Sequence, residues 1–462
     1  MSEFRFGLVS YGAYLPSHRL ARADIGAALN TSAGRGERVV ASFDEDSTTL
    51  GVAAARAALE RHGEESAAPT ALYFATTTPA YADKANATAI HAALGLPDNV
   101  FAADTGGSAR SGVAALRTGA ATGGVAVLAD VIVGRPGSAD ESGGGDGAAA
   151  FAFGPAADAI AEIVAFASAT EEILDRWRTP GAASGVQWEE RFGLDRYAPL
   201  VERVTREVLA SADNGRADHV IVVSGNSAVA KRASSLVPNA GSVSGSPIGY
   251  AGAASVGVAL ADALDKARPG ESILVISVAN GADAILLRAT DRIDDRRQRV
   301  SVAEQLASGR AVAYPAYLTW RGLLDREPPR RPEPDRVSGP AAARNAAWKF
   351  ALSGSRCNKC GFVHLPPARV CKDCGIVDRM TIESLAGVPG SVATYTVDRL
   401  AYSPAPPVVD AVVDFDDGGR YTFEVADAGP SDLAVGARVE TVFRRLNTAD
   451  GVHNYFWKVR VH

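Results

Sequence analysis

Four cysteines carry the plainest chemical signal in the chain. Cys357, Cys360, Cys371 and Cys374 form two C-x-x-C knuckles in the stretch CNKCGFVHLPPARVCKDCG. Each knuckle turns two thiolates toward one point, and two knuckles complete a tetrahedral four-sulfur shell for a closed, structural zinc ion. Such a shell leaves no position open for water, so this zinc is expected to hold the fold rather than catalyse. Redox pairs would need a thioredoxin-like βαβ surrounding that the flanking sequence lacks. These four are all the cysteines of the 462-residue chain, so its first 356 residues offer neither a catalytic thiolate nor a disulfide.

A second signal lies in DTGGSARSGVAAL, Asp104 to Leu116. Its small residues have the texture of a nucleophile-bearing turn that runs into a buried helix, yet it has no cysteine. Backbone N–H groups at such a turn and helix start can receive an oxyanion. Ser108 is a hydroxyl nucleophile there, and it would need a base to lower its barrier. Asp104 at the start of the turn is a candidate acid or base, set against the ordinary role of an aspartate as a cap.

The elements that must position these groups follow a regular plan. TALYFATTT (70–78), VAVLADVIVG (125–134), HVIVVSG (219–225) and SILVISVAN (272–280) are nearly continuous apolar runs, as strands buried on both faces must be. SGVAALRTGAATG and SVGVALADALDKARPG have helical spacing between them. Strands alternating with helices predict a layered α/β unit. Each half has a strand with a polar end, a Gly/Ser-rich turn into a helix, and another strand, a duplication at a spacing of roughly 140 residues that suggests two fused units with a site between them. The Pro- and charge-rich DREPPRRPEPDRVSGP (325–340) reads as a linker. From 385 onward five strand-like runs separated by Gly/Asp/Pro turns fit a small β-barrel.

Composition narrows the function classes. With 47% hydrophobic and 22% charged residues and a net charge of -6, the chain has no basic footprint for nucleic acid or an anionic membrane. No run of about 18 apolar residues occurs, and MSEFRFGLVSYGAYL lacks the basic-then-apolar pattern of a signal peptide. The expected setting is the cytoplasm, with neither nucleic acid nor membrane as partner.

The C-terminal part, from about 340 including the helix around Trp348, resembles the zinc-ribbon/OB-fold proteins that accompany thiolase-superfamily enzymes and bind acyl-CoA thioesters. The segments FGLVSYGAYLPSHRL, YADKANATAIHAALG, GRPGSADESGGGDGAAAFAFG, DRWRTPG, WEERFGLDRYAPLVERV and PIGYAGAASVGVALADALDKARPGESILVIS, in that order, resemble the HMG-CoA synthase branch of the thiolase superfamily, which includes the ketoacyl synthase III enzymes. The resemblance implies a duplicated αβαβα thiolase-like fold, a CoA thioester substrate whose tunnel ends between the halves, and a homodimer formed through the thiolase-like part. The expected domains are the two thiolase-like halves at 1–165 and 166–320, a linker and helix at 321–350, a zinc ribbon at 351–380 and a five-stranded OB-fold barrel at 381–462.

Carried onto this chain, the family's nucleophilic cysteine falls on Ala109, flanked by Ser108 and Arg110. Its acid/base glutamate falls on Thr77 and its histidine on Ser224 or a neighbour, with Asn226 close by. The resemblance to cysteine-less thiolase-like aldol lyases, which use tyrosines, brings in Tyr81 and Tyr250. Lys231 and Arg232 match positions that contact the nucleotide end of CoA, and Asn280 ends a strand expected at the substrate site. Claisen chemistry needs an acyl group parked on the enzyme, best on a thiolate. An aldol or retro-aldol reaction at a CoA thioester needs only an oxyanion site and a general base. The resulting expectation is an aldol-type lyase or synthase acting on a β-hydroxyacyl-CoA. An acyltransferase or condensing enzyme using Ser108, and a non-catalytic acyl-CoA-binding scaffold for a thiolase-family partner, remain as alternatives.

Overall fold

The computed structural model describes residues 6–62, 68–212, 214–237, 240 and 242–461. Its contacts divide the chain into two compact units, one comprising 1–41, 46–88 and 98–314, the other 42–45, 89–97 and 315–462.

The first unit is built twice on one plan. Its first half runs β1 (Phe6–Tyr14), α1 (Ser47–Glu60), β2 (Ala71–Ala75), β3 (Phe101–Thr105), α2 (Ser111–Thr122), β4 (Val125–Asp130), α3 (Ala139–Gly143) and β5 (Gly147–Pro155). The second runs β6 (Ala161–Thr170), α4 (Glu190–Leu209), β7 (His219–Ser224), α5 (Ser227–Leu236), β8 (Val243–Ser244), α6 (Ala254–Lys266), β9 (Ser272–Val278) and β10 (Gly281–Ala289). The strand order is β8-β7-β9-β10-β6-β1-β5-β4-β2-β3, two five-stranded sets in mirrored order. β1 and β6 join the sets through the single pair Leu8↔Ala161. In each set the first strand pairs antiparallel with the last, and the three strands that run out to the sheet edge are parallel to one another. The expected boundary at 165/166 falls inside β6, because that strand opens the second half and must begin before it.

The two turn-following helices are the hub. α6 is buried over almost its whole length, Ala254 to Leu264, so its small apolar residues are core on every side. α2 crosses it closely: a Cβ on Gly112 would lie 2.4 Å from the Ala253 carbonyl oxygen. The Ala/Gly richness of these segments is thus a packing requirement.

In the second unit, α7 (Gly339–Ala351) leads into a three-stranded ribbon of Ser353–Cys357, Val363–His364 and Met380–Ser384. Five antiparallel strands follow: β11 (Gly390–Asp398), β12 (Val408–Phe415), β13 (Arg420–Glu424), β14 (Arg438–Ala449) and β15 (Val452–Val461), in the order β13-β12-β11-β14-β15. The alternating burial of β12 places Val409, Ala411, Val413 and Phe415 inward with Phe423, Phe443 and Trp457. A parallel bridge from Val425 to Val459 links the ends of β13 and β15 and closes the barrel.

Candidate active site and metal centre

A cavity of about 150 Å3 opens in the first unit. Its wall draws on Thr77 and Thr78 after β2, Gly107 to Ala109 before α2, Asp140 of α3, Asp175 to Arg178, Gly225 and Asn226 after β7, Tyr250 before α6, and Val278 to Asn280 after β9. These are the strand ends and turns of both halves, where an α/β sheet presents ligands.

The Thr76–Thr78 turn is held by one carboxylate. Asp130, fully buried at the end of β4, accepts from Thr76 Oγ1 (2.8 Å), Thr77 N (2.8 Å), Thr78 N (2.9 Å) and Thr78 Oγ1 (2.7 Å). Its other oxygen accepts from Ala253 N at 2.6 Å, at the start of α6. Burial pushes this carboxyl up, while the hydrogen bonds from Thr78 and Thr76, then Ala253 and Thr77, pull it down. Gly252, at φ +53°, lets the backbone approach: a Cβ there would stand 2.2 Å from Asp130 Oδ2.

Opposite stands a charged group. Both terminal nitrogens of Arg176 grip the Asp140 carboxylate, Nη1 to Oδ2 at 2.9 Å and Nη2 to Oδ1 at 2.8 Å. Gln187 donates to the same Oδ1 at 2.8 Å. The two short strands Arg176–Trp177 and Val186–Gln187 pair with each other, so both are fastened to one acid. The Arg176 guanidinium lies 4.2 Å over the Tyr250 ring, a cation–π contact of about 1 kcal/mol when partly desolvated. Burial pushes the Tyr250 phenol up to about 12 against the opposing pull of Arg176. The ring and the guanidinium occupy the space beside Gly225, where a Cβ would meet Tyr250 Cε2 at 2.9 Å and Arg176 Nε at 3.0 Å. Arg178 donates to the Thr77 carbonyl oxygen. The Tyr197 hydroxyl bonds Asp175.

The glycines 143–145 belong to the same construction. Gly145 N donates to Tyr250 O (3.0 Å) and Tyr250 N to Gly143 O (3.1 Å), and a Cβ on Gly145 would stand 2.1 Å from Ile248 O. This stretch packs backbone on backbone and sets the position of Tyr250.

Of the residues singled out from sequence, the cavity brings together Thr77, Ser108, Ala109, Asn226, Tyr250 and Asn280. Gly107, at φ +109°, forms the turn that presents Ser108 and Ala109. Their carbonyls accept from Ser111 N (3.0 Å) and Gly112 N (3.2 Å), which leaves their N–H groups at the free end of α2. The Ser108 hydroxyl accepts from Arg110 N at 3.3 Å, and no general base bonds it among the described residues.

The others stand elsewhere, for physical reasons. Arg110 is drawn off the cavity wall by a bidentate pair with Asp283 (2.8 and 2.9 Å) and a bond to Asn280 O (3.0 Å). Asp104 receives Asn86 N (2.7 Å), Asn86 Nδ2 (2.9 Å) and Ala87 N (2.6 Å), so it caps the 81–87 loop. Tyr81 belongs to that loop, its N–H on Asn86 Oδ1 at 3.0 Å. The Ser224 hydroxyl turns to Val278 O at 3.2 Å. Asn226, although at the wall, caps α5 through Ala228 N and Val229 N and donates to Glu190 O. Lys231 and Arg232 are exposed on α5. Sequence reasoning missed Arg176, Asp140, Asp175 and Asp130, although DRWRTPG and GRPGSADESGGGDG contain the first three.

In the second unit the four cysteine sulfurs lie within 4.8 Å of one another. Cys357 and Cys374 are 3.6 Å apart, and Cys360 and Cys371 3.5 Å. A tetrahedron with metal–sulfur bonds of about 2.3 Å has edges of about 3.8 Å, so the cysteines fit a zinc ion with sulfur shifts of no more than about an ångström. Among the described residues no helix is long and apolar enough to cross a membrane.

Comparison with known proteins places both units. The chain is 30% identical over 352 residues to a hydroxymethylglutaryl-CoA synthase of Methanopyrus kandleri, a match covering 69% of this chain and 98% of that one. The chain belongs to the hydroxymethylglutaryl-CoA synthase family. The family's protein from Archaeoglobus fulgidus is likewise 30% identical, over 347 residues, covering 68% of this chain and 98% of its own. Among solved structures, MvaS in complex with 3-hydroxy-3-methylglutaryl coenzyme A aligns with TM-score 0.57 and 16% identity over 69% of this chain and 92% of that one. The 3-oxoacyl-(acyl carrier protein) synthase III FabH of Pseudomonas aeruginosa aligns with TM-score 0.53 and 21% identity over 62% of this chain and 98% of its own. These structures share the thiolase-like fold. Residues 349–377 match the family described as the ChsH2 rubredoxin-like zinc ribbon domain, and 383–444 the ChsH2 C-terminal OB-fold domain. This member of the hydroxymethylglutaryl-CoA synthase family therefore carries a zinc ribbon and an OB-fold in the same chain.

Proposed function

We propose that the chain makes or breaks a carbon–carbon bond of a β-hydroxyacyl-CoA by aldol or retro-aldol chemistry, without a covalent acyl-enzyme. The observation that carries this reading is the chemistry of the cavity wall. It has no thiol, it has Ala109 at the turn we match to the family's nucleophile, and it has a half-buried tyrosine stacked on an arginine. In the bond-forming direction the thioester loses its Cα proton to water, and the enolate so formed attacks an aldehyde or ketone. The new Cα–Cβ bond leaves an alkoxide, and the Tyr250 phenol, protonated at neutral pH with its pKa near 12, gives that alkoxide its proton. In reverse Tyr250, having first given its proton to water, takes the β-hydroxyl proton as the phenolate, the Cα–Cβ bond breaks, and the released enolate takes a proton from water at Cα to leave a shortened acyl-CoA. The thioester oxygen is assigned to the amides at the start of α2, and Arg176 stabilises the phenolate that forms.

A condensing enzyme using Ser108 is favoured by family membership alone, since no base meets the Ser108 hydroxyl. A scaffold role for a thiolase-family partner would leave Tyr250 and Arg176 without effect on turnover. For assembly we propose a homodimer through β3, which ends the large sheet with Phe101 61% exposed; light scattering should give twice the 47.8 kDa chain mass. The reaction is tested by incubating the protein with a panel of β-hydroxyacyl-CoA thioesters. The reading requires equal amounts of a carbonyl compound and a shortened acyl-CoA, and failure across the panel, in either direction, would remove it.

A further inference from the structure

Resting on that reading of the cavity as the acyl site, we infer that it selects acyl groups with an uncharged polar end and rejects those ending in a carboxylate, and that Asp140 sets this choice. The charged residues of the wall are Arg176, Arg178, Asp140 and Asp175, which sum to zero. Arg176 looks like an anchor for an anionic acyl group, yet both of its terminal nitrogens are already bound to Asp140. Its remaining nitrogen, Nε, is buried against Gly225 and Tyr250. Arg178, exposed to solvent at the rim, has each terminal nitrogen on a carbonyl, that of Thr77 or Ala182. A carboxylate entering here would lose its hydration, find the terminal edge of Arg176 already held by Asp140, and face Asp140 and Asp175. Hydroxyl, carbonyl and amide groups carry no such cost, and the wall offers them Thr77, Thr78, Ser108, Tyr250 and Asn280. The cavity of about 150 Å3 suits a short acyl group of this kind.

The Asp140 carboxylate thus works through Arg176 as a positioning residue. Replacing it with the isosteric amide frees one face of the guanidinium and changes the charge of the wall from zero to plus one.

The test measures affinities of 3-hydroxyglutaryl-CoA and its terminal monoamide, equal in shape and different in charge, by isothermal titration with the full chain and with Asp140→Asn. The native chain should bind the monoamide at least 10-fold more tightly, and Asp140→Asn should bring the ratio to one or reverse it. Equal or tighter binding of the carboxylate by the native chain overturns the inference whether or not the variant folds. So does an unchanged ratio in a variant whose circular dichroism is native. Failure of both thioesters to bind would remove the acyl-site reading together with this one. The expected ratios without turnover of any β-hydroxyacyl-CoA would remove the aldol reaction and leave the charge selection standing.

Discussion

The cysteine cluster and the cavity hold their groups in place by opposite means. The cluster draws all four ligands from an 18-residue stretch, Cys357 to Cys374, two per knuckle, and closes on itself. The cavity draws its wall from segments spread between Thr77 and Asn280, and it stays open. What holds the cavity is a set of buried acids that each tie two distant segments. Asp130 joins the turn after β2 to the start of α6, and Asp140 holds both short strands around 176 and 187. A closed site can be specified locally, whereas an open one needs the whole fold as its frame.

The contrast can be broken first at the metal. Removing zinc with a chelator, or replacing Cys371 with serine, should unfold the ribbon, since structural zinc sites contribute on the order of 10 kcal/mol to the folds they close. Limited proteolysis should then cut between about 340 and 385, and a chain that resists cleavage would show that the knuckles need no metal. At the cavity, Asp130→Ala strands several buried donors at once. It should cost about 3 kcal/mol or more of stability, read as a lower chemical-denaturation midpoint. Next comes chemistry: Tyr250→Phe should lower kcat by about 10²-fold with KM moved by less than about 3-fold, as expected for a group used in the transition state. Ser108→Ala should stay within about 3-fold in kcat, because the proposed route has no acyl-serine. The smallest effect is spectroscopic. The Tyr250 phenol is raised from 10.0 to about 12, so the stability it lends is complete below pH 10 and is lost as pH rises through 12. A difference titration at 295 nm between the native chain and Tyr250→Phe should show no ionisation of this ring below about pH 11.

This division also explains what the sequence made legible. The zinc knuckles, the four strands β2, β4, β7 and β9 of the α/β unit, the two buried helices and the five barrel strands were readable because spacing or periodicity specifies each within a dozen or so residues. Ser108, Ala109 and Tyr250 were reachable through the resemblance, because they sit in turns whose small-residue pattern survives. Arg176 and Asp140 were not, although both lay in quoted segments: a solvated arginine and one buried on a tyrosine ring look alike in sequence. The same blindness made Asp104 and Ser224 attractive. Both have suitable chemistry, and only the fold shows that one caps the 81–87 loop and the other binds the Val278 carbonyl. Gly225 is the nearest thing to a readable trace of the cavity, since Tyr250 and Arg176 fill the space a Cβ would take there, while Gly144 and Gly145 are small because the carbonyls of Asp140 and Ile248 stand against them.

The central claim is that this member of a condensing-enzyme family works without parking an acyl group on itself. Intact-mass spectrometry of the protein sampled during turnover of a β-hydroxyacyl-CoA tests it most directly. The account predicts an unmodified chain mass at every time point while thioester is consumed. A transient mass increase equal to the acyl group, abolished in Ser108→Ala, would contradict it.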